Sequence, residues 1–298
     1  MKKKYLTSKI ASLSPINSLR RGIYKRAGYK IGKNVSIARN VKILAKELEI
    51  GDNARIADGV FISSLRKVKI GEFTEISQNV IIDGDNELEI GDNCFIGTGY
   101  HINVRDKVTL EDSVALGGSG GQIWTHSTWP EEIDGHQINK ISSVHIGKNS
   151  WIGTKAIIHP GVKIGQNSII GSNSLVTTDI PENTLAFGNP ATPIKKVSEM
   201  KKDLKDWEKE DILMNLVKRF IDTYGGQYQK TEIGIMIKDR NETAIISMKK
   251  IEPEEIAKFD SKTAYFDIER KRCSKKNIKL ERNFRRFANY YSARFKSE

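Results

Sequence analysis

The chain carries its clearest pattern between Ile146 and Val176, which reads in groups of six as IGKNSW, IGTKAI, IHPGVK, IGQNSI, IGSNSL and then Val176. An aliphatic residue starts every group, and glycine follows it in four of the five groups. A helix would bring apolar residues back every 3.6 positions and an ordinary strand every two, so a strict period of six fits neither. The pattern is typical of short flat strands joined by tight corners and repeated along the chain.

The same period continues upstream of Ile146. Successive starting residues are separated by six, six and then seven or eight positions. This spacing predicts three short strands per turn, with the extra residues at the third corner. An Ile-Gly-x-Asn sequence recurs at one corner, where glycine and asparagine tolerate a tight backbone or positive φ. Seven turns are predicted, stacked as a parallel β-solenoid whose starting residues form a buried column. The upstream starting residues are Ile31, Ile37, Ile43, Ile50, Ile56, Ile62, Ile70, Ile76, Ile82, Ile90, Ile96, Ile102, Leu110, Leu116 and Ile123.

One turn departs from this period. Its third strand starts at Ile123 and continues as Trp124-Thr125-His126, after which residues 127–143 abandon the six-residue spacing. A loop of this length on a rigid scaffold is usually functional. We therefore expect the chemistry of the protein at this loop.

The segments on either side of the repeat are predicted as follows. Residues 1–30 form a basic cap with one helix, capped by Ser14 and ended by Gly28, whose stripe of Leu19, Ile23 and Ala27 covers the open end of the core. A weak contact of this segment with an anionic membrane is the alternative. The solenoid domain spans 31–197 and finishes in an extended tail at 186–193, which is rich in proline.

Residues 198–298 are predicted to form a small α+β accessory domain. A helix at 203–224 places Leu204, Trp207, Ile212, Leu216 and Phe220 on one face. Strands are expected at 231–238, 243–248 and 264–268, and further helices at 253–259 and 280–294. The last helix is basic and aromatic, but we expect it to dock on its own domain rather than to bind nucleic acid. This region contains no catalytic motif that we can identify.

Charge and cysteine content narrow the class of protein. The formal net charge of +12 suits an anionic partner such as a phosphate-bearing cofactor, a nucleic acid or an acidic membrane. Cys94 and Cys273 lie far apart and support neither a disulfide framework nor a zinc site, which favours a reducing cytoplasm. No apolar run follows the basic start of the chain, and no stretch approaches the ~20 apolar residues of a membrane span. A cytoplasmic protein is predicted, with peripheral membrane association left open.

The repeat, the loop after Trp124-Thr125-His126 and the ending Gly188-Asn189-Pro190-Ala191 together resemble the left-handed β-helix acyltransferases, also called hexapeptide-repeat acetyltransferases. The resemblance covers residues 31–197 and extends to the galactoside, maltose and xenobiotic acetyltransferases. It implies a left-handed β-helix, a homotrimer, and active sites between neighbouring solenoids. Each such site takes a projecting loop and a catalytic histidine from one subunit, and coenzyme A lies along a groove toward the C-terminal turns.

His126 suits the catalytic role on chemical grounds. Acetyl transfer to a hydroxyl or amine needs a base for the acceptor's proton, and neutral imidazole is well matched to that task. The inward position of this strand belongs to Ile123, so His126 is not expected in the core. His101, His136, His145 and His159 are weaker candidates. The group that orients the imidazole is left open among Glu131, Glu132, Asp134 and Asp106.

The remaining site residues are implied by the resemblance or by their position near the loop. A family asparagine that contacts the acceptor falls on Gly97, which argues against a galactoside- or maltose-like acceptor. The exposed amides of Gly153 or Gly171 are expected to bind the cofactor arm or an oxyanion, and Lys195 and Lys196 the cofactor phosphates. Substrate-binding candidates are His101, Arg105, Asp106, Trp124, Trp129, Glu131 and Asp134; cofactor-binding candidates are Trp151, Gly153, Thr154, Gly171, Ser172, Thr177, Thr178, Asn189, Pro190, Ala191, Lys195 and Lys196.

The function expected from these residues is acetyl-CoA-dependent O-acetylation of a sugar in a surface polysaccharide, a lipid-linked oligosaccharide or a related glycan. His126 is the base in a direct transfer, without a covalent intermediate or a metal. N-acetylation of a nucleotide-linked amino sugar and a non-catalytic binding solenoid are the alternatives. A carbonic anhydrase on the same fold would need three histidines with a His-x-x-x-x-His pair, which the five histidines of this chain do not provide.

Overall fold

The structure, a computed structural model, describes residues 2–127, 140–290 and 294–297, with side chains from residue 6 onward. The chain divides into two compact units, residues 1–201 and 202–298. The first unit is mainly β and is a parallel solenoid whose turns each have three faces. The second is a small α+β unit. None of the helices in the described part of the chain combines the length and apolarity needed to span a bilayer.

The starting residues stack in three columns, as the period of six predicted. On the first face, for example, Leu110 is aligned between Ile90 and Ile146 in parallel register. On the third face Ile102, Ile123 and Ile158 align in the same way. All three columns are buried. A fully buried aliphatic side chain contributes roughly 1.5–3 kcal/mol, so the columns dominate the stability of this unit.

The strands of the solenoid are short because each turn must close within about 20 residues. The first face contains β1 (Lys30–Ile31), β8 (Glu87–Ile90), β11 (Val108–Leu110), β16 (Val144–Ile146) and β19 (Lys163–Ile164). The second contains β2 (Ser36–Ile37), β4 (Arg55–Ile56), β6 (Glu75–Ile76), β9 (Phe95–Thr98), β12 (Ala115–Ser119), β17 (Trp151–Ile152), β20 (Ile169–Ile170) and β22 (Thr184–Gly188). The third contains β7 (Ile81–Gly84), β10 (His101–Val104), β13 (Gln122–Ile123), β18 (Ile157–Ile158) and β21 (Leu175–Val176).

The corners explain the recurrent glycine and asparagine. The asparagine of the Ile-Gly-x-Asn corner has positive φ at Asn34, Asn53, Asn93, Asn149 and Asn167. The glycine is needed for a different reason, close stacking. A Cβ added at Gly147 would lie 2.5 Å from the amide nitrogen of Gln166 in the next turn. At the third corner the extra residues do not always form a turn, because β3 (Lys42–Ile50) and β5 (Phe61–Ile70) bend continuously from the third face into the first.

The N-terminal cap differs from its prediction. It contains two helices, α1 (Lys2–Leu13) and α2 (Asn17–Arg26), rather than one. Ser14 does not cap α2, since the N-cap position is Ile16. The predicted stripe was also wrong at Leu19, which is 53% exposed, because α2 buries Arg20 and Tyr24 instead. Arg20 is accommodated because its guanidinium donates to the backbone oxygens of Ile37 and Ser14.

The C-terminal end of the solenoid also differs. The segment at 186–193, predicted as an extended tail, folds back on itself: β23 (Ala191–Lys196) pairs antiparallel with β22, and a cis Asn189–Pro190 bond lies between them. A 3₁₀ helix, Val197–Met200, completes the first unit. The prolines predicted an extended backbone but not this hairpin, because proline restricts φ and does not determine which strand its neighbours pair with.

The second unit packs helices on a six-stranded sheet in chain order. Its core includes Leu213, Val217 and Phe220 of the first helix, whereas Trp207 and Ile212, predicted on that buried face, are 62% and 57% exposed. Phe284, Arg285 and Phe287 of the last helix are buried within the unit. The elements are α3 (Asp206–Tyr224), β24 (Gln227–Lys230), β25 (Ile235–Asp239), β26 (Glu242–Ser247), α4 (Pro253–Ile256), β27 (Thr263–Asp267), β28 (Arg272–Cys273), α5 (Lys279–Tyr290) and β29 (Lys296–Ser297).

Candidate active site

The third face presents two outward rows of side chains beside its buried column, because successive residues of a strand point to opposite sides. One row precedes the column and includes His101 and Gln122, which are aligned in register. The other row follows it and includes Asp83 and Asn103, also aligned. Trp124, His159 and Thr177 occupy this second row in the following turns. The face therefore concentrates polar and aromatic side chains from consecutive turns.

His126 lies where this face is interrupted. After Ile123 the chain leaves the solenoid as β14 (His126–Ser127), which pairs antiparallel with β15 (Lys140–Ile141). These two strands form the base of the excursion predicted at 127–143. Residues 128–139 lie outside the described residues, and with them Trp129, Glu131, Glu132, Asp134 and His136.

The backbone hydrogen bonds between this strand and the next turn end at Trp124, and the hydroxyl of Thr125 forms hydrogen bonds in their place. Its side chain is fully buried, and its hydroxyl donates to the backbone oxygen of Asn103 at 3.0 Å and accepts from the backbone nitrogen of Asp106 at 3.1 Å. A buried backbone group without a partner would be costly, and this hydroxyl supplies partners for two of them. The position of His126 next to it is held by the same contacts.

Asn103 is the side chain that orients His126. Its Oδ1 lies 2.8 Å from His126 Nδ1, and its Nδ2 donates to Asp83 Oδ1 at 3.0 Å. A carboxylate only accepts hydrogen bonds, so the amide group must face Asp83 and the oxygen must face the imidazole. Neutral His126 then carries its proton on Nδ1, which leaves the lone pair of Nε2 available as a base.

The sequence did not predict Asn103 as the partner of His126, because the acidic residues in and near the loop were the expected orienting groups. Asp106, one of the predicted orienting groups, accepts instead from the backbone nitrogen of Lys107 at 2.7 Å and from Asn86. Arg105, predicted to bind substrate, forms an ion pair with Asp85 at 3.0 Å. One signal could have indicated Asn103: it stands immediately after the starting residue Ile102, one turn before the strand that leads to His126.

Trp124 lies between two imidazoles. Its ring centroid is 4.9 Å from that of His101 and 5.7 Å from that of His126, with edge-to-face geometry on both sides. Its indole nitrogen donates to Gln122 at 2.8 Å, which fixes the ring. His101 in turn lies 3.2 Å from Asp83. The structure thus brings together His101, Trp124 and His126, three of the residues predicted from the sequence, with Asp83 and Asn103 added.

Apart from Thr177 and Thr178, which follow β21 of the third face, the predicted cofactor residues form a second group on and beside the second face. Trp151 is 44% exposed, and its indole covers Gly117, where an added Cβ would lie 2.8 Å from the ring nitrogen. Thr154 and Ser172 lie at the corner that follows in consecutive turns. Thr178 is exposed, as are Asn189, Pro190, Lys195 and Lys196, whereas Ala191 is buried. This group and the His126 cluster therefore occupy different faces of one chain.

The glycines of the second face do not play the predicted role. The amide of Gly153 donates to the backbone oxygen of Ile170, and that of Gly171 to the backbone oxygen of Ala186, both within the ladder between turns. These amides are not available to an oxyanion or a cofactor, so that prediction was wrong. The reason is physical: a parallel solenoid uses its strand amides to join each turn to the next.

A row of four glycines, called the glycine strip here, nevertheless runs along this face, and Gly97, Gly117 and Gly153 in it are buried. Glycine follows the starting residue in four consecutive turns, at Gly97, Gly117, Gly153 and Gly171. A Cβ at Gly97 would lie 2.0 Å from the backbone oxygen of Gly118, so an asparagine does not fit there without a backbone shift. Tyr100, whose pKa is raised by burial, supports the strip from within, since its hydroxyl bonds the backbone oxygens of Gly117 and Gly153.

Two other features of the described residues are separate from these groups. A groove of about 460 Å³ lies on the first face, where the Glu111 carboxylate lies 2.9 Å from Nε2 of His145. No group of three or more His, Cys, Asp and Glu side chains within residues 2–127, 140–290 and 294–297 is placed to hold a metal.

Comparison with known proteins identifies the class. Residues 143–178 match the family model "Bacterial transferase hexapeptide (six repeats)". The chain is 31% identical to the galactoside O-acetyltransferase of Escherichia coli (strain K12) over 176 residues, which is 56% of this chain and 74% of that protein. The chain therefore belongs to the hexapeptide-repeat acyltransferases, and it is an acyltransferase.

Two further similarities are more limited. The galactoside O-acetyltransferase of Lactococcus lactis subsp. lactis (strain IL1403) is 38% identical over 102 residues, covering 34% of this chain and 43% of that protein. Among solved structures, AntD, an N-acyltransferase from Bacillus cereus in complex with dTDP and 3-hydroxybutyryl-CoA, matches with a TM-score of 0.40 and 20% identity, over 68% of this chain and 95% of that one.

Proposed function

We propose that this protein transfers an acetyl group from acetyl-CoA to a hydroxyl of a sugar in a surface polysaccharide or a glycan precursor, with His126 as the general base. The observation that carries the proposal is the contact between His126 Nδ1 and Asn103 Oδ1 at 2.8 Å. It leaves the basic Nε2 on the opposite side of the ring from its buried partner. Base catalysis by a positioned imidazole contributes roughly 10²–10⁴-fold to such reactions.

The proposed reaction is a direct transfer. His126 Nε2 accepts the proton of the sugar hydroxyl as that oxygen attacks the thioester carbonyl. The carbon–sulfur bond then breaks, and the same proton returns from His126 to the leaving thiolate. The imidazolium exists only between these two events, and Asn103 keeps its ring in one orientation throughout. No covalent enzyme intermediate is needed, and the products are the acetylated sugar and free coenzyme A.

The aromatic wall of the site supports a sugar as the acceptor. Trp124 and His101 form a partly apolar surface beside His126, and the apolar faces of sugar rings pack well on such surfaces. Gln122 and Asp83 lie at its edge and offer hydrogen bonds to hydroxyl groups. The family's asparagine is replaced by Gly97, so we do not expect galactosides or maltose to be the preferred acceptors.

The second face supports a place for the cofactor. We propose that the pantetheine arm of acetyl-CoA lies on the second face, along the edge of the glycine strip from Gly97 to Gly171, which spans about 14 Å at the usual spacing of about 4.8 Å between strands. Trp151, Thr154 and Ser172 border it, Thr177 and Thr178 follow on the third face of the last turn, and Lys195 and Lys196 are exposed to meet the phosphates. These bordering side chains would hold the arm, since the amides of Gly153 and Gly171 are occupied.

A homotrimer of left-handed solenoids is part of the proposal. Within one chain the His126 cluster and the glycine strip lie on different faces, so neither face alone provides base and cofactor together. A site between two copies, with the third face of one against the second face of the next, would join them. The resemblance to trimeric left-handed relatives and the division of the site between faces both support this arrangement.

The test is release of coenzyme A from acetyl-CoA with a panel of sugars and glycan oligomers, with the products identified by mass spectrometry. Wild type should acetylate a hydroxyl of at least one acceptor, and His126→Ala should lose the activity while retaining its fold. Acetylation of an amino group instead would replace the O-acetyl assignment by the N-acetyl one. Failure of the wild-type protein to bind coenzyme A would end the proposal altogether.

A further inference from the structure

The net charge of the chain is confined to its N-terminal end. Residues 1–46 contain 13 lysines and arginines and no aspartate or glutamate. The other 252 residues contain 36 basic and 37 acidic residues, and are therefore close to neutral. This part of the chain contains α1, α2 and the first turn of the solenoid. A field of this strength and sign at one end of the solenoid is an electrostatic footprint for a negatively charged surface.

Helix α1 is turned the opposite way from an ordinary surface helix. Its small residues face the solenoid: Ser8, Ala11 and Ser12 are at most 5% exposed. The hydroxyl of Ser8 accepts from the backbone nitrogen of Ile43 at 2.9 Å, and the backbone oxygen of Ser12 accepts from the backbone nitrogen of Asn40. The side of α1 that carries serine and alanine is therefore the side that packs on the solenoid.

Its large apolar residues face outward. Leu6, Ile10 and Leu13, spaced four and three positions apart, lie on one face of the helix and are 57%, 50% and 68% exposed. We call these three residues the α1 stripe. Ile16 and Leu19 follow at 58% and 53% exposure. These five residues, within a span of 14, make up nearly half of the large exposed apolar side chains in the described part of the first unit.

Basic side chains accompany the stripe. Lys9 on α1 and Lys25 and Arg26 on α2 are exposed, as are Lys33, Arg39, Lys42 and Lys46 on the first turn. The α1 stripe with cations around it is the composition of a helix that lies in the plane of a membrane interface, where apolar side chains enter the acyl boundary and lysines meet anionic headgroups. A protein partner with an acidic rim would satisfy the charge, but it would not require such a large basic excess without a single acid.

We propose that this end of the molecule docks on an anionic lipid membrane, with α1 lying in the interface and the α1 stripe inserted. The interaction is peripheral and reversible. It is independent of acetyl transfer, since none of the docking residues belongs to the His126 cluster or to the glycine strip. Its effect on function is to place the enzyme at a lipid surface.

The experiment is sedimentation of the full-length protein with vesicles of phosphatidylcholine alone or mixed with phosphatidylglycerol. Wild type should bind the mixed vesicles and not the neutral ones, and raised salt should weaken the binding because surface charges are screened. The variant Leu6→Gln/Ile10→Gln/Leu13→Gln keeps residues that favour a helix but removes the apolar stripe. Its binding should fall by roughly tenfold or more, because the buried apolar area is lost.

Matched controls make the result specific. Trp207→Gln/Ile212→Gln removes exposed apolar side chains of the second unit and should leave vesicle binding unchanged. Acetylation of a soluble acceptor by the α1 variant should equal that of wild type, which separates this proposal from that for His126. The proposal is overturned if wild type ignores anionic vesicles, or if the α1 variant binds them as well as wild type does. It is equally overturned if the α1 variant changes only the oligomeric state in light scattering, since the stripe would then be a contact between copies.

Discussion

The two turns from Ile146 to Val176 and the turn between Leu110 and Ser143 share one scaffold and differ in what they do with it. In the regular turns the strand amides join neighbouring turns, as His159 does with Val176 at 2.9 Å. In the interrupted turn the ladder stops after Trp124, and the hydroxyl of Thr125 replaces it. The regular turns fix the distance between side chains of successive turns. The interruption frees His126 from this six-residue spacing, so that its imidazole contacts Asn103 of the preceding turn. One irregular turn is therefore enough to bring a side chain such as His126 out of the repeat on an otherwise regular fold.

The largest expected effect separates the histidines of the two regions. His126→Ala should lower kcat/KM by about 10²–10⁴-fold, because the base is lost while binding surfaces remain. His145→Ala, in the strand that begins the regular run, removes an exposed histidine paired with Glu111 and should change the rate by less than about threefold. Steady-state kinetics with an identified acceptor and thermal unfolding of both variants make the comparison. Equal losses in the two variants would mean that His126 has no special role.

The next effect concerns what the two turns share. Ile123 in the interrupted turn and Ile158 in the regular one are both fully buried and adjacent in one column. Replacement of either by alanine should lower the free energy of unfolding by about 2–5 kcal/mol, because each leaves a cavity between stacked turns. Chemical denaturation measures this, and the two costs should agree within about 1 kcal/mol. A much smaller cost at Ile123 would show that the interrupted turn is poorly packed.

A smaller effect tests how the interruption orients its base. Asn103→Asp places two carboxylates side by side at a position where Asn103 Nδ2 now lies 3.0 Å from Asp83, and should lower kcat/KM by about 10–100-fold. The double variant Asp83→Asn/Asn103→Asp again pairs an amide with a carboxylate and should recover most of the rate. When the pH is lowered, the double variant should also lose its activity at a higher pH than wild type does, because a carboxylate beside the imidazole stabilises the inactive imidazolium. If the double variant stays as slow as the single one, or the pH profile does not move, Asn103 does not position His126.

The smallest effect tests the regular turns as the cofactor surface. Trp151→Ala should raise KM for acetyl-CoA by about threefold to tenfold with little change in kcat, because a contact equal in ground and transition states is lost. Trp207→Ala in the second unit serves as the control and should change neither constant. An unchanged KM in the Trp151 variant would move the cofactor away from this face.

The sequence by itself determined the scaffold. A period of six with aliphatic starting residues specifies which side chains are buried, and the structure confirms the three columns and the alignment of turns from Ile31 to Val176. It also located the irregular turn and His126. These features are local: a strand's alternation and a corner's need for glycine or asparagine can be read from neighbouring residues. The prediction of buried residues failed in the cap and in α3, where Leu19, Trp207 and Ile212 are exposed. In these helices the buried face is determined by packing against other elements and not by residue type alone.

Only the tertiary structure decided which groups meet. Asn103 and His126 are 23 positions apart and touch because one turn of the solenoid returns the chain to the same face, in the adjacent strand. The amides of Gly153 and Gly171 were expected at the surface, yet the ladder between turns occupies both. The outward stripe of α1 was likewise invisible, since a sequence shows that a helix has an apolar face but not which face its neighbour has taken. The period of a repeat is a property of each turn alone, whereas the partners of a side chain depend on how the turns are stacked.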